Sequence, residues 1–158
     1  MRRIPAGVLM AAFLTLVVSG TLHAAEGPSP GLITVMTPHS FDRLLTRLEQ
    51  AIANNRMGLV AMASASRGAA SRGVTIPGNA VVMVFRNDYA VRMLTASVPA
   101  GIEAPLRIYV TEEGNGTASL TYRQPTVVFG PYGNTDIDAM ARELDPVLAA
   151  IIADAAAP

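Results

Sequence analysis

Leu106, Ile108 and Val110 alternate with Arg107, Tyr109 and Thr111, and Ala118, Leu120 and Tyr122 alternate with Thr117, Ser119, Thr121 and Arg123. A period of two sends successive side chains to opposite sides of an extended chain. Between the runs lies Glu112-Glu113-Gly114-Asn115-Gly116, and Asn-Gly readily takes the positive φ angles of a tight hairpin turn. The stretch from Pro105 to Pro125 therefore reads as an antiparallel hairpin with one apolar face and one Arg/Thr/Ser/Tyr face. A lone hairpin is marginal in water, so its apolar face demands a cover.

Other periodicities supply that cover. Phe41, Leu44, Leu45, Leu48 and Ile52 form one stripe of an amphipathic helix, with Ser40 placed to cap it, Asp42 in its first turn and Asn54-Asn55 at its end. Ile137, Met140, Ala141, Leu144, Leu148 and Ile151 line one side of a terminal helix opened by Thr135 and Asp138 as a capping-box-like pair. Pro146 inside it should kink that helix, or restart it with Asp145 as cap. Leu32–Met36 and Met57–Met62 read as strands. Ala80–Phe85, apolar throughout, reads as a strand near the middle of a sheet. Asn87 or Asp88 is placed to cap a short helix through Tyr89, Val91, Met93 and Leu94, stopped by Pro99 and Gly101. The small-residue stretch 63–73 is a loop or a short helix. Thr126–Phe129 is expected to add an extended segment before Gly130-Pro131-Tyr132-Gly133 turns the chain. This order predicts one α+β domain over residues 32–155, with helices packed on one face of a mainly antiparallel sheet.

Residues 1–24 carry a different pattern. Arg2 and Arg3, the apolar run Gly7–Val18 and the small-residue end Leu22-His23-Ala24-Ala25 read as a secretory signal cleaved after Ala24 or Ala25. The run is shorter than the ~20 residues of a membrane span, so no stable span is expected after cleavage. Residues 25–31 form a Pro-rich linker, and the mature chain is expected in the periplasm or outside the cell. Cysteine is absent, which removes disulfides, thiolate metal sites and cysteine nucleophiles. All 12 basic residues are Arg, against 12 acidic ones, and no basic run exists. That argues against nucleic acid as a partner.

The candidate chemistry is sparse. His39 is the one histidine beyond the signal; a zinc site needs three or four ligands and a base needs a nucleophile, so it reads as an exposed turn residue. Glu112 and Glu113 point to opposite sides of a strand end and read as solvated charges. Asn115-Gly116-Thr117 matches a glycosylation acceptor, but the hairpin turn already explains it. Met36, Met57, Met62, Met83, Met93 and Met140 fall on separate elements, which suits core filling better than copper carriage. Arg86, Asn87 and Arg92 stand at a helix start, where unpaired N–H groups favour an anion. Arg107, Tyr109 and Arg123 share the polar hairpin face, and they either line the same cleft or face a partner subunit. The plainer alternative pairs these arginines with Asp88, Glu103 or Glu112 on the surface.

Three places in the chain resemble the bacterial family catalogued as domain of unknown function, family number 302: Ser40-Phe41-Asp42-Arg43-Leu44-Leu45, Val84-Phe85-Arg86-Asn87-Asp88, and Ala104–Val110 followed by an acidic turn and Ser119–Pro125. The resemblance implies a β-α-β(4)-α domain with a curved antiparallel sheet of the TATA-binding-protein-like kind, often dimeric, and no activity. Arg86 stands where the family prefers Gly, and Asp88 where it prefers Pro. Many members carry an Asp-His pair that would fall at Ser64 and Ala65, so a metal or haem role resting on that histidine does not carry over to this chain.

The expectation is an exported, non-catalytic binding or interaction module, a homodimer with a small anionic or amphipathic ligand on its sheet or at the Asn87/Asp88 helix start. The alternative is an enzyme using carboxylate or Tyr chemistry, which would require Asp88, Arg92, Glu103 and Tyr109 to converge in one pocket. A metal or haem carrier comes third, and the cofactor is left open.

Overall fold

The computed structural model describes residues 29–158; the expected signal over 1–24 and the first residues of the linker lie outside them. Five strands, β1 (Leu32–Met36), β2 (Gly58–Ala63), β3 (Asn79–Phe85), β4 (Leu106–Glu112) and β5 (Ala118–Arg123), form one antiparallel sheet in the order β1-β5-β4-β3-β2. Helix α1 (Phe41–Asn54) carries the chain from one sheet edge to the other, and β5 returns beside β1. Short helices α2 (Ala65–Ala70) and α3 (Asn87–Ala96) follow β2 and β3. After β5 come α4 (Pro125–Phe129) and the long α5 (Thr135–Ala156). Leaving the short helices aside, the skeleton is β-α-β(4)-α.

The hairpin behaves as its alternation requires. Ile108, Val110, Ala118 and Leu120 are buried together with Val82, Val84, Leu44, Leu48, Ile137 and Ile151, so α1 and α5 pack over this side of the sheet. Arg107, Tyr109 and Arg123 stay exposed on the other side. The turn is a three-residue loop: the Gly116 amide donates to Glu113 O and the Glu113 amide to Thr117 O. Gly116 alone takes the left-handed conformation, at φ +81°, while Asn115 Oδ1 accepts from the Thr117 amide. This is a type I turn closed by a glycine bulge, not a two-residue Asn-Gly turn.

Several helix ends differ from expectation. Ser40 holds the cap position of α1 without a side-chain cap bond. At the other end Met57 N donates to Ile52 O and Arg56 N to Ala53 O, a Schellman closure with Arg56 at φ +57° where glycine usually stands. The cap position of α3 is Arg86, not Asn87 or Asp88. Helix α5 is capped by Asn134, whose Oδ1 accepts from Asp136 N and Ile137 N, one residue before the Thr135 expected to cap it. It does not restart at Pro146: it runs unbroken to Ala156, and Asp145 instead accepts from the Thr126 amide (3.0 Å) and hydroxyl (2.8 Å).

That bond explains why Thr126–Phe129 is helical rather than extended. Pro125 supplies a fixed φ at the first helical position, Asp145 takes the amide left open at the helix start, and Phe129 is driven into the core. Gly31 makes room for α4, since a Cβ there would meet Val127 at 2.5 Å. His39 is likewise not an exposed turn residue. It is 5% exposed, and its Nε2 lies 2.7 Å from Ala157 O, fastening the chain after β1 to the end of α5.

Candidate functional site

The residues singled out from the sequence fall in two places. At the start of α3, Arg86 grips Asp88 through Nε (2.7 Å) and Nη2 (3.0 Å), and Arg92 grips Glu143 of α5 through Nη1 (2.7 Å) and Nη2 (2.8 Å). Both guanidiniums lie over the Tyr89 ring, at 4.1 and 5.5 Å from its centre. The hydrogen bond from Arg86 holds the Asp88 carboxyl below its ordinary range, and that from Arg92 does the same for Glu143. Each arginine thus has its counter-ion, and the helix start carries its own carboxylate. Asn87 is exposed beside them.

The second place is the uncovered face of the sheet. Ile108 pairs with Tyr122 across β4 and β5, so the next position places Arg107 opposite Arg123. Leu32 flanks Arg123 on β1, and Met83 flanks Arg107 on β3. The row beside them runs Thr34, Thr121, Tyr109 and Val81, with the Thr34 and Thr121 hydroxyls 2.9 Å apart. Among the described residues neither Arg107 nor Arg123 has a carboxylate within ion-pair distance. Like charges directly opposed across a strand pair are destabilising, on the order of a few tenths of a kcal/mol to 1 kcal/mol.

Arg107, Tyr109, Thr121, Arg123 and Val81 line an open groove of about 700 Å³ that also takes in Leu32, Glu103 and, from α4, Val127. Glu103 Oε1 accepts from the Tyr132 hydroxyl at 3.1 Å, and loss of hydration followed by that bond pushes the Tyr132 phenol up. Sequence reasoning placed Arg107, Tyr109, Thr121 and Arg123 on one face but missed Leu32 and Val127. Only Leu32 left a signal, as the apolar residue that opens the first strand.

Arg86, Asn87 and Arg92 do not join Arg107, Tyr109 and Arg123 in one cleft. The four residues of the enzymatic alternative also separate: Glu103 and Tyr109 line the groove, whereas Asp88 and Arg92 belong to the α3 cluster. Nor are the turn carboxylates idle charges, since Glu112 Oε2 accepts from Gly78 N and Glu113 Oε1 from the Ser119 hydroxyl, both at 2.6 Å. Met57, Met93 and Met140, far apart in sequence, converge with Phe129 around a small, partly open pocket of about 30 Å³. Met36 is exposed. Among the described residues no three His, Cys, Asp or Glu side chains are grouped to hold a metal ion, and no helix is long and apolar enough to cross a membrane. Ser64 caps α2 by accepting from Arg67 N.

A five-stranded antiparallel sheet covered on one face by helices defines an α+β domain with one open face. The chain belongs to the family described as domain of unknown function DUF302, whose model matches residues 33–155. A solved structure with the same fold is the uncharacterized conserved protein DUF302 from Bacillus stearothermophilus, at 21% identity and a TM-score of 0.71, covering 81% of this chain and 99% of that one. No curated protein matches the chain.

Proposed function

We propose that the protein is an exported, non-catalytic binding module that holds a small anionic ligand on the open face of its sheet, between Arg107 and Arg123. The observation that carries this reading is the pairing itself: two exposed guanidiniums opposed across β4 and β5, with no carboxylate in ion-pair range among the described residues. An oxyanion between them relieves their repulsion and accepts from both forks, with the Tyr109 phenol one row away as a further donor. The α3 start is the weaker candidate, because Asp88 and Glu143 already take its arginines. Export rests on the Arg2-Arg3 start, the apolar run and the small-residue end of the leader.

Calorimetric titration of the purified protein with inorganic phosphate at low ionic strength tests the site. Arg107→Gln with Arg123→Gln should weaken binding at least tenfold, and Arg86→Gln with Arg92→Gln should leave it unchanged. Equal binding by the first double variant would remove the proposal.

A second reading places another copy of the chain on this face, favoured by the exposure of Leu32, Met36 and Tyr109 along it. Light scattering checks it: Tyr109→Glu should turn a dimer into a monomer, and a monomeric parent protein rules the reading out.

A further inference from the structure

We infer that the ligand is a single-chain amphiphile, one oxyanion head group on an uncharged apolar tail, with the head at Arg107 and Arg123 and the tail along the groove floor and wall. This rests on the anion site just proposed and goes on to name what carries the anion.

An inorganic oxyanion occupies a small part of a groove of about 700 Å³. The remainder is shaped for something apolar. Leu32 stands beside Arg123 and is 46% exposed, Val81 stands beside Tyr109, and Val127 with Pro131 forms the wall supplied by the segment after β5. Small-molecule sites are typically lined by apolar side chains with a few polar groups that fix orientation, and this lining has that composition. Glu103 sets a second condition. It faces the groove from the segment between α3 and β4. A carboxylate there repels further negative charge, which disfavours polyanions and leaves one anionic head with an uncharged remainder. The concave shape suits a molecule taken up singly rather than a flat membrane surface.

The test is a titration series: inorganic phosphate, then butyl, octyl and dodecyl phosphate below their aggregation concentrations, then dodecyl maltoside, and a separate sedimentation arm with phosphatidylglycerol vesicles. Affinity should rise about two- to fourfold for each methylene the groove covers. Leu32→Ser should flatten that chain-length dependence while inorganic phosphate binds as before, and Arg107→Gln with Arg123→Gln should weaken every anionic member at least tenfold. Inorganic phosphate binding as tightly as dodecyl phosphate would overturn the amphiphile and leave the anion site standing. Dodecyl maltoside matching dodecyl phosphate would overturn the head-group assignment. Vesicle binding without binding of monomeric alkyl phosphates would replace the single ligand by a membrane surface. Failure of every anion to bind would remove the anion site itself.

Discussion

The two faces of the central hairpin differ by a single residue of offset, and they have opposite fates. Ile108 and Leu120 lose all contact with water beneath α1 and α5, while Tyr109 remains 42% exposed and Arg107 and Arg123 face each other in solvent. The covered face is chemically redundant: many apolar side chains of similar size could fill it, and its worth is stability. The open face is specific, because opposed like charges add nothing to folding. The same contrast separates the two arginine groups. Those at α3 are matched with carboxylates and read as architecture, and those on the sheet are not matched and read as a site.

The sharpest way to break the comparison is to truncate one residue on each face. Ile108→Ala should cost about 2–5 kcal/mol in denaturant unfolding, through lost burial and the cavity left behind. Thr121→Ala on the other face should stay within about 1 kcal/mol. Equal losses would mean that the open face is covered in the working protein.

A smaller effect separates the faces at high pH. Burial, and next the nearby Asp145 charge, push the Tyr122 phenol above its ordinary value of 10.0. A group raised on folding contributes stability that is full below its unfolded pKa and is lost as pH rises through its folded pKa. Stability should therefore fall from about pH 10 upward, and Tyr122→Phe should reduce that fall in thermal melts taken across the alkaline range.

The smallest effect concerns the arginines. Arg123→Thr should leave the melting temperature unchanged or slightly raised, most visibly at low salt, because it removes a repulsion. Arg92→Gln should lower it slightly. Since Asp88 and Glu143 are depressed by their arginines, that contribution is present above the ordinary carboxylate range and is lost as pH falls through their folded values. A stability loss from Arg123→Thr that matched the loss from Arg92→Gln would show that the sheet arginines also have a structural partner.

Local pattern was enough for β4, β5, α1 and the long stripe of α5, because alternation and the 3.6-residue stripe are set by backbone geometry and by water's rejection of apolar surface. It also placed Arg107, Tyr109 and Arg123 on one face. It failed where a distant residue decides the outcome. Thr126–Phe129 reads as extended until Asp145, on another helix, takes its amide and hydroxyl. His39 reads as exposed until the end of α5 is folded back onto it. Arg92 reads as an anion ligand or as a partner of Asp88, Glu103 or Glu112 until Glu143 arrives from α5.

The amino-acid order by itself determined which side of each ribbon is apolar, since that follows from the identity of every second residue and needs no partner. Tertiary structure alone decided which arginines are neutralised, that β1 sets Leu32 beside Arg123, and that α4 walls the groove. Those facts depend on distances between residues far apart in sequence, and such distances are fixed only when the chain has closed on its core.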